Sequence, residues 1–331
     1  VLARSDGRAG SLTIGSVNHP VLAALIPVVF LIAIGYLAGK RQWIGAGSVK
    51  DLSGLVFMVL APALLFRTMG AVQVGQLDFR PLAVYFAVAL VVYFSVLAFC
   101  GFNRRAAVLA LASTFSNTVM IGVPLVGLAY GDAGLVTLFT LVSLHALVLL
   151  TVATVVLEIT VIRELRATGQ TPARPMAATV LLAVRNAVIH PVPLPIMAGL
   201  LFAQTGWVIP PLLDKPLRLL GNAFGPLALV MVGVTLAFNP VGAQLKGALA
   251  IASAKNLLHP ALMAAAGWAL GLSGVPLAVM IVAASLPIGA NVFLFSQRYE
   301  VAQEVVTASV AVSTALGLVT VSVVMFLLGA G

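Results

Sequence analysis

Two short stretches place polar and helix-breaking residues inside apolar surroundings: Ser116-Asn117-Thr118-Val119-Met120-Ile121-Gly122-Val123-Pro124 and Ser285-Leu286-Pro287-Ile288-Gly289-Ala290-Asn291. A proline within a helix removes one ladder hydrogen bond and clashes with the preceding turn, so each stretch predicts a broken helix. Backbone groups freed in an apolar medium persist only where protein, water or a solute satisfies them. A break also starts a second half-helix, whose N–H groups and positive dipole end face the gap. Two such ends at a common point favour an anion. Asn117 and Asn291 each add an amide that donates to a carboxylate or accepts from a hydroxyl, against the plainer role of bonding one helix to another. The candidate solute-binding set is therefore Asn117, Thr118, Gly122, Pro124, Pro287, Gly289 and Asn291, with Ser116 beside it. One such motif alone is as well read as a simple kink; the pairing points to a site.

Ionisable side chains within a membrane are costly, which makes each one a candidate for function. Lys255 lies well inside an apolar run and either meets a solute carboxylate or snorkels to the interface. His145 either relays a proton or bonds a neighbouring helix. His190 and His259 each precede a proline and read as helix-end residues, and Glu158, near the end of its run, reads as solvated. No Asp or Glu falls in the middle of an apolar run, which disfavours cation/proton antiport and sodium coupling through a carboxylate. Proton coupling through His145 or through the solute, and uniport, stay open. The single cysteine, Cys100, allows neither an intramolecular disulfide nor a cysteine metal site, and no cofactor is expected.

The elements that must hold these residues follow from composition. The 331 residues are 61% hydrophobic and 8% charged, with a mean hydropathy of +1.14; a soluble domain carries about 25% charged residues. Such a chain is an all-α polytopic membrane protein. Its net charge of +9 sits in short segments between apolar runs, where it orients a membrane protein instead of gripping nucleic acid. Residues 1–19 read as a polar tail with no cleavable signal peptide.

Apolar runs of membrane-spanning length occur near Pro20–Gly39, Leu52–Gly70, Pro81–Gly101, Ala106–Tyr130 and Ala133–Val161, and again near Thr179–Gly206, Pro216–Phe238, Gly247–Leu272, Val275–Gln297 and Gln303–Gly329. About ten helices result, as a first repeat over 20–162, a link over 163–178 and a second repeat over 179–331. His19-Pro20-Val21 and His190-Pro191-Val192 open the first and sixth runs alike, and Pro62 and Pro226 interrupt the second and seventh. Five spans per half invert the second repeat, and matched breaks in the fourth span of the chain and the ninth point to a transporter site between inverted repeats. Lys40, Arg41, Lys50, Arg104, Arg105, Arg163, Arg166, Arg174, Arg185, Lys246 and Arg298 fall on one side, against Arg4, Arg8, Arg67, Arg80, Lys215 and Arg218. The richer side is expected to be cytoplasmic, with both termini extracytoplasmic.

Asn117 with Gly122 and Pro124, and Leu286-Pro287-Ile288-Gly289 running on to Phe293, Phe295 and Tyr299, resemble the auxin efflux carrier family, which includes plant carriers and bacterial malonate and malate permeases. The resemblance covers essentially the whole apolar chain. It implies a ten-helix inverted-repeat fold similar to that of bile-acid symporters, with crossed broken helices 4 and 9, a scaffold bundle and a mobile bundle. It also implies that Asn117, Pro124, Pro287 and Asn291 line the substrate site. The central link is too short for the regulated loop of plant carriers, so the bacterial organic-acid branch fits better. The expected function is a secondary or facilitated carrier of a small organic anion, such as malonate or malate, in a bacterial inner membrane, with an exporter of an auxin-like aromatic weak acid as the alternative. Partners are that anion and the lipid bilayer, with no nucleic acid; proton coupling and a homodimer stay open.

Two other classes are weaker. Gly271-Leu272-Ser273-Gly274 matches a short intramembrane-protease pattern, but all four histidines precede Ser273, which reads as a tight turn. A channel shares broken helices with a carrier, yet no selectivity-ring signature is present.

Overall fold

The computed structural model describes residues 20–72, 75, 77–167, 175–189, 191–238 and 244–329. These form helices, turns and one isolated antiparallel bridge. The tail, His19 and His190 lie outside the described residues, as do 168–174 of the link.

In chain order the helices are α1 (Pro20–Lys40), α2 (Ser48–Leu55), α3 (Ala61–Met69), α4 (Arg80–Cys100), α5 (Arg104–Ala112), α6 (Val123–Ala167) and α7 (Met176–Val188). They continue with α8 (Pro193–Gln204), α9 (Pro211–Phe238), α10 (Leu245–Ser253), α11 (His259–Ala269), α12 (Gly274–Ser285), α13 (Asn291–Arg298) and α14 (Gln303–Leu327). Single wide π-helical turns, Val56–Leu60, Thr118–Gly122 and Ala254–Leu258, lead into α3, α6 and α11. Each is followed at the same spacing by a proline, namely Pro62, Pro124 and Pro260. Proline brings no N–H and its ring collides with the carbonyl four residues back; widening the turn by one residue relieves both problems.

Among the described residues, five helical segments are long and apolar enough to cross a membrane: Ser48–Met69, Arg80–Cys100, Thr118–Arg166, Pro211–Phe238 and Gln303–Leu327. The sixth run, read from the sequence as continuous, is instead interrupted between α7 and α8. Ile189 leaves helical geometry at φ −87°, ψ 50°, and Pro191 and Pro193 supply no N–H to carry the ladder on. Conversely, the expected gap near residue 131 is one non-helical residue inside α6, Gly131, at φ 58° and ψ −152°, a conformation that glycine adopts without strain.

The helices sort into two packed groups. In the first, α1 lies along α9, and α3 packs on α8 and α9. The α1–α9 approach is set by glycine: a Cβ on Gly35 would fall on the carbonyl of Val230, and one on Gly233 on that of Ile32. Small residues are how helices come close where lipid offers no hydrophobic drive to pair. In the second group α5 packs on α4 and α6, α11 on α4 and α12, and α14 on α10 and α12. Phe30, Phe99, Leu201 and Phe326 stand exposed on the outside, as suits a hydrocarbon surround.

Candidate functional site

The first break opens where α5 stops. Ser113 Oγ donates back to Leu109 O at 3.0 Å, and Thr114 Oγ1 to Ala110 O at 3.1 Å, so the ending carbonyls find local partners. Asn117, at φ −77° and ψ 63°, then caps the following turn, its Oδ1 accepting from Met120 N at 3.2 Å. The second break opens after Ser285. Leu286 is extended at φ −59° and ψ 152°, as a residue before proline must be, and α13 restarts at Asn291.

The two interruptions satisfy each other. Asn117 N donates to Pro287 O at 2.8 Å and Gly289 N to Phe115 O at 2.9 Å, pairing Ser116 with Ile288 as an antiparallel bridge. Ile288 N donates to Ser313 Oγ of α14 at 3.0 Å. Gly289 must be glycine for this approach, since a Cβ would lie 2.8 Å from the Phe115 ring and 3.1 Å from Ser116 O.

The last carbonyls of α12 are held from the side by the wide turn 254–258. Lys255 Nζ donates to Ala284 O at 2.5 Å and Leu286 O at 2.7 Å, and Asn256 Nδ2 donates to Ser285 O at 2.8 Å. Ser313 Oγ closes the network by donating to Asn256 Oδ1 at 2.6 Å. Lys255 is fully buried, so it does not snorkel; its amine ends at a helix C-terminus, the negative end of that helix's dipole.

A cavity of about 540 Å³ lies between the two helix groups. Ser116, Asn117, Thr118, Gly289, Asn291 and His145 of the expected site residues line it, and Phe57, Val232 and Thr235 face them from the first group. Gly122, Pro124, Pro287 and Lys255 do not line it. The first three serve packing: Gly122 admits Leu286, Pro124 faces Gly225, and Pro287 sits against Gly317. His145 Nε2 lies 3.4 Å from Tyr85 Oη, which lies 3.2 Å from Ser116 Oγ. His259 is not at a helix end: it is buried where the wide turn enters α11, its ring 5.4 Å from that of Tyr85.

Tyr85, Asn256 and Ser313 are neighbours of the candidate site that sequence reasoning missed. Asn256 had a signal, standing beside Lys255 as a second polar residue in an apolar run; Tyr85 and Ser313 had none.

At one end of the bundle Arg104 Nε pairs with Glu164 at 2.7 Å, and Glu158, half-buried instead of solvated, accepts from Tyr299 Oη at 3.0 Å. A second cavity, of about 640 Å³, is bordered by the Arg67–Asp214 pair (2.7 Å), Asp132 and Trp207. Ser273 sits in the turn before α12, between Gly271 and Gly274, both at positive φ. Among the described residues no group of His, Cys, Asp or Glu is placed to hold a metal ion.

The profile of a family described as membrane transport protein matches residues 20–325. A Rhizobium meliloti (strain 1021) protein named "Putative malonate transporter" is 28% identical over 322 residues, 94% of this chain and 97% of its own length. Auxin efflux carrier component 8 of Arabidopsis thaliana is 24% identical over 253 residues, 65% of this chain and 69% of that protein. Auxin efflux carrier component 1 of Arabidopsis thaliana is 30% identical over 123 residues, 37% of this chain and 20% of that protein.

Proposed function

Since the chain belongs to the membrane transport protein family, that of the auxin efflux carriers, we propose that it moves a small organic anion by alternating access, with a mono- or dicarboxylate of the malonate or malate class as solute. The observation that carries this reading is the main-chain joint between the two breaks, beside which the half-helices starting at Thr118 and Asn291 border one cavity. A carboxylate there meets two positive dipole ends and the amides of Asn117 and Asn291. The Asn117 Oδ1 is taken by Met120 N, which leaves its Nδ2 to donate to the solute. Thr118, Gly289 and Ser116 complete the wall, while Gly122, Pro124 and Pro287 hold the breaks in shape.

The architecture that goes with this function is two inverted five-helix repeats, 20–162 and 179–331, joined by 163–178, with α7 and α8 together forming the sixth of ten spans. The group containing α1, α3, α8 and α9 is the scaffold, and the group carrying the breaks rocks against it. Placing the Arg104–Glu164 end in the cytoplasm of a bacterial cell puts both termini outside. On that orientation the central cavity, which reaches Val49 and Ser53, opens inward.

The test is uptake of labelled malonate into proteoliposomes, with a competition panel of carboxylates and aromatic acids under imposed proton and sodium gradients. Saturable uptake with counterflow supports the carrier; its absence for every carboxylate in the panel refutes the solute class. An aromatic weak acid is the second reading, favoured by the apolar lining of Phe57, Met58, Phe115 and Leu236. Displacement by indole acids but not by malate would select it.

A further inference from the structure

A lysine is held inside this protein without a carboxylate beside it. Lys255 is fully buried, and no Asp or Glu is among the buried residues described. Its counter-charges are the carbonyls of Ala284 and Leu286, at the unwound C-terminal end of α12, with Asn256 taking the carbonyl of Ser285 between them. A buried charge is expensive to desolvate, and a neutral amide such as Asn256 caps a helix end without that cost. Capping alone therefore leaves the choice of a lysine here unexplained.

Unwound carbonyls at half-helix C-termini are the groups with which broken-helix carriers coordinate a coupling cation. An alkali ion and an ammonium ask the same of such a place: oxygen lone pairs, and the negative end of a dipole. The same network runs through Asn256 and Ser313 to Ile288 N, one residue from the Gly289–Phe115 bond, so a charge at this point bears on the joint between the breaks.

We infer that Lys255 fills a monovalent-cation site from within: a tethered ammonium occupies the carbonyl cradle at the end of α12, so no free cation is needed there. Shortening the tether opens the cradle to a sodium ion or a primary alkylammonium. The transport arm of the test rests on the carrier reading; the binding arm does not.

Wild type, Lys255→Ala and Lys255→Met are purified, and their melting temperatures are compared in choline, sodium and propylammonium chloride. Propylammonium is the fragment that the alanine variant lacks. Uptake of labelled malonate is measured in the same salts. Wild type is expected to be indifferent to the salt in both assays. Lys255→Ala is expected to lose stability and roughly tenfold in uptake in choline, and to recover both selectively in propylammonium or sodium. Lys255→Met, which fills the space without a charge, recovers neither. The inference is overturned if sodium stabilises or stimulates wild type over choline, or if Lys255→Ala gains no more from propylammonium than Lys255→Met does. Should the alanine variant not fold, the wild-type sodium comparison decides. Salt-indifferent melting of wild type together with no malonate uptake would count against malonate as solute while leaving the cradle standing.

Discussion

Asn117 and Pro287 are bonded main chain to main chain, the N–H of the first donating to the carbonyl of the second across 2.8 Å. With the return bond from Gly289 to Phe115, this pair locks two broken helices together at the edge of the central cavity.

Gly289→Ala is expected to break that lock, because its Cβ would meet the Phe115 ring at 2.8 Å and the Ser116 carbonyl at 3.1 Å. Gly122→Ala meets only the tip of Leu286, which can turn away. Uptake should fall to background in the first and by less than about tenfold in the second, with overpacking costing about 2 kcal/mol in the first. Equal behaviour of the two in uptake and thermal melts would contradict the argument.

The cap that Asn117 makes and the solute contact proposed for it separate by substitution. Asn117→Asp keeps an oxygen to cap Met120 N but replaces the donating amide with a negative charge facing an anion. Its melting temperature should stay near wild type while anion uptake falls by roughly tenfold or more. Asn117→Ala should lose about 1 kcal/mol of stability along with transport. Asn291→Ala, with no capping bond to lose, should impair uptake alone.

Ser313→Ala removes the one hydroxyl that serves both Ile288 N and Asn256 Oδ1. Two buried groups then lack a partner, at a cost of about 2 kcal/mol. Chemical denaturation in detergent measures it, and a loss within error would mean that those groups find other partners.

Gly35→Ala and Gly233→Ala each place a methyl on a backbone carbonyl of the opposing helix. Each should cost about 3 kcal/mol, and the double variant less than the sum, since the first methyl already parts α1 from α9. A thermal-melt double-mutant cycle reads this directly.

The breaks are legible in the sequence because Pro, Gly and Asn act on the backbone within a turn of where they stand. Pro191 and Pro193 carry the same signal for the gap between α7 and α8, but a run counted by apolar composition passes over it. The place of Lys255 is not legible in that way. Its position along the chain gives depth, whereas its partners depend on how α12 lies beside the wide turn 254–258. His259 is hidden for the same reason, since His-Pro reads as a helix start until the preceding turn is seen to widen and continue.

Because the joint between the broken helices is made of peptide groups, it does not depend on the identity of the side chains at positions 115, 117 and 287 for its bonds. A proline at 117 would delete a donor, and any side chain at 289 would force the two segments apart, but most exchanges elsewhere along the cavity wall leave the joint intact. The lining can therefore drift toward a new solute residue by residue, which lets one mechanical device serve chemically different cargoes over evolutionary time.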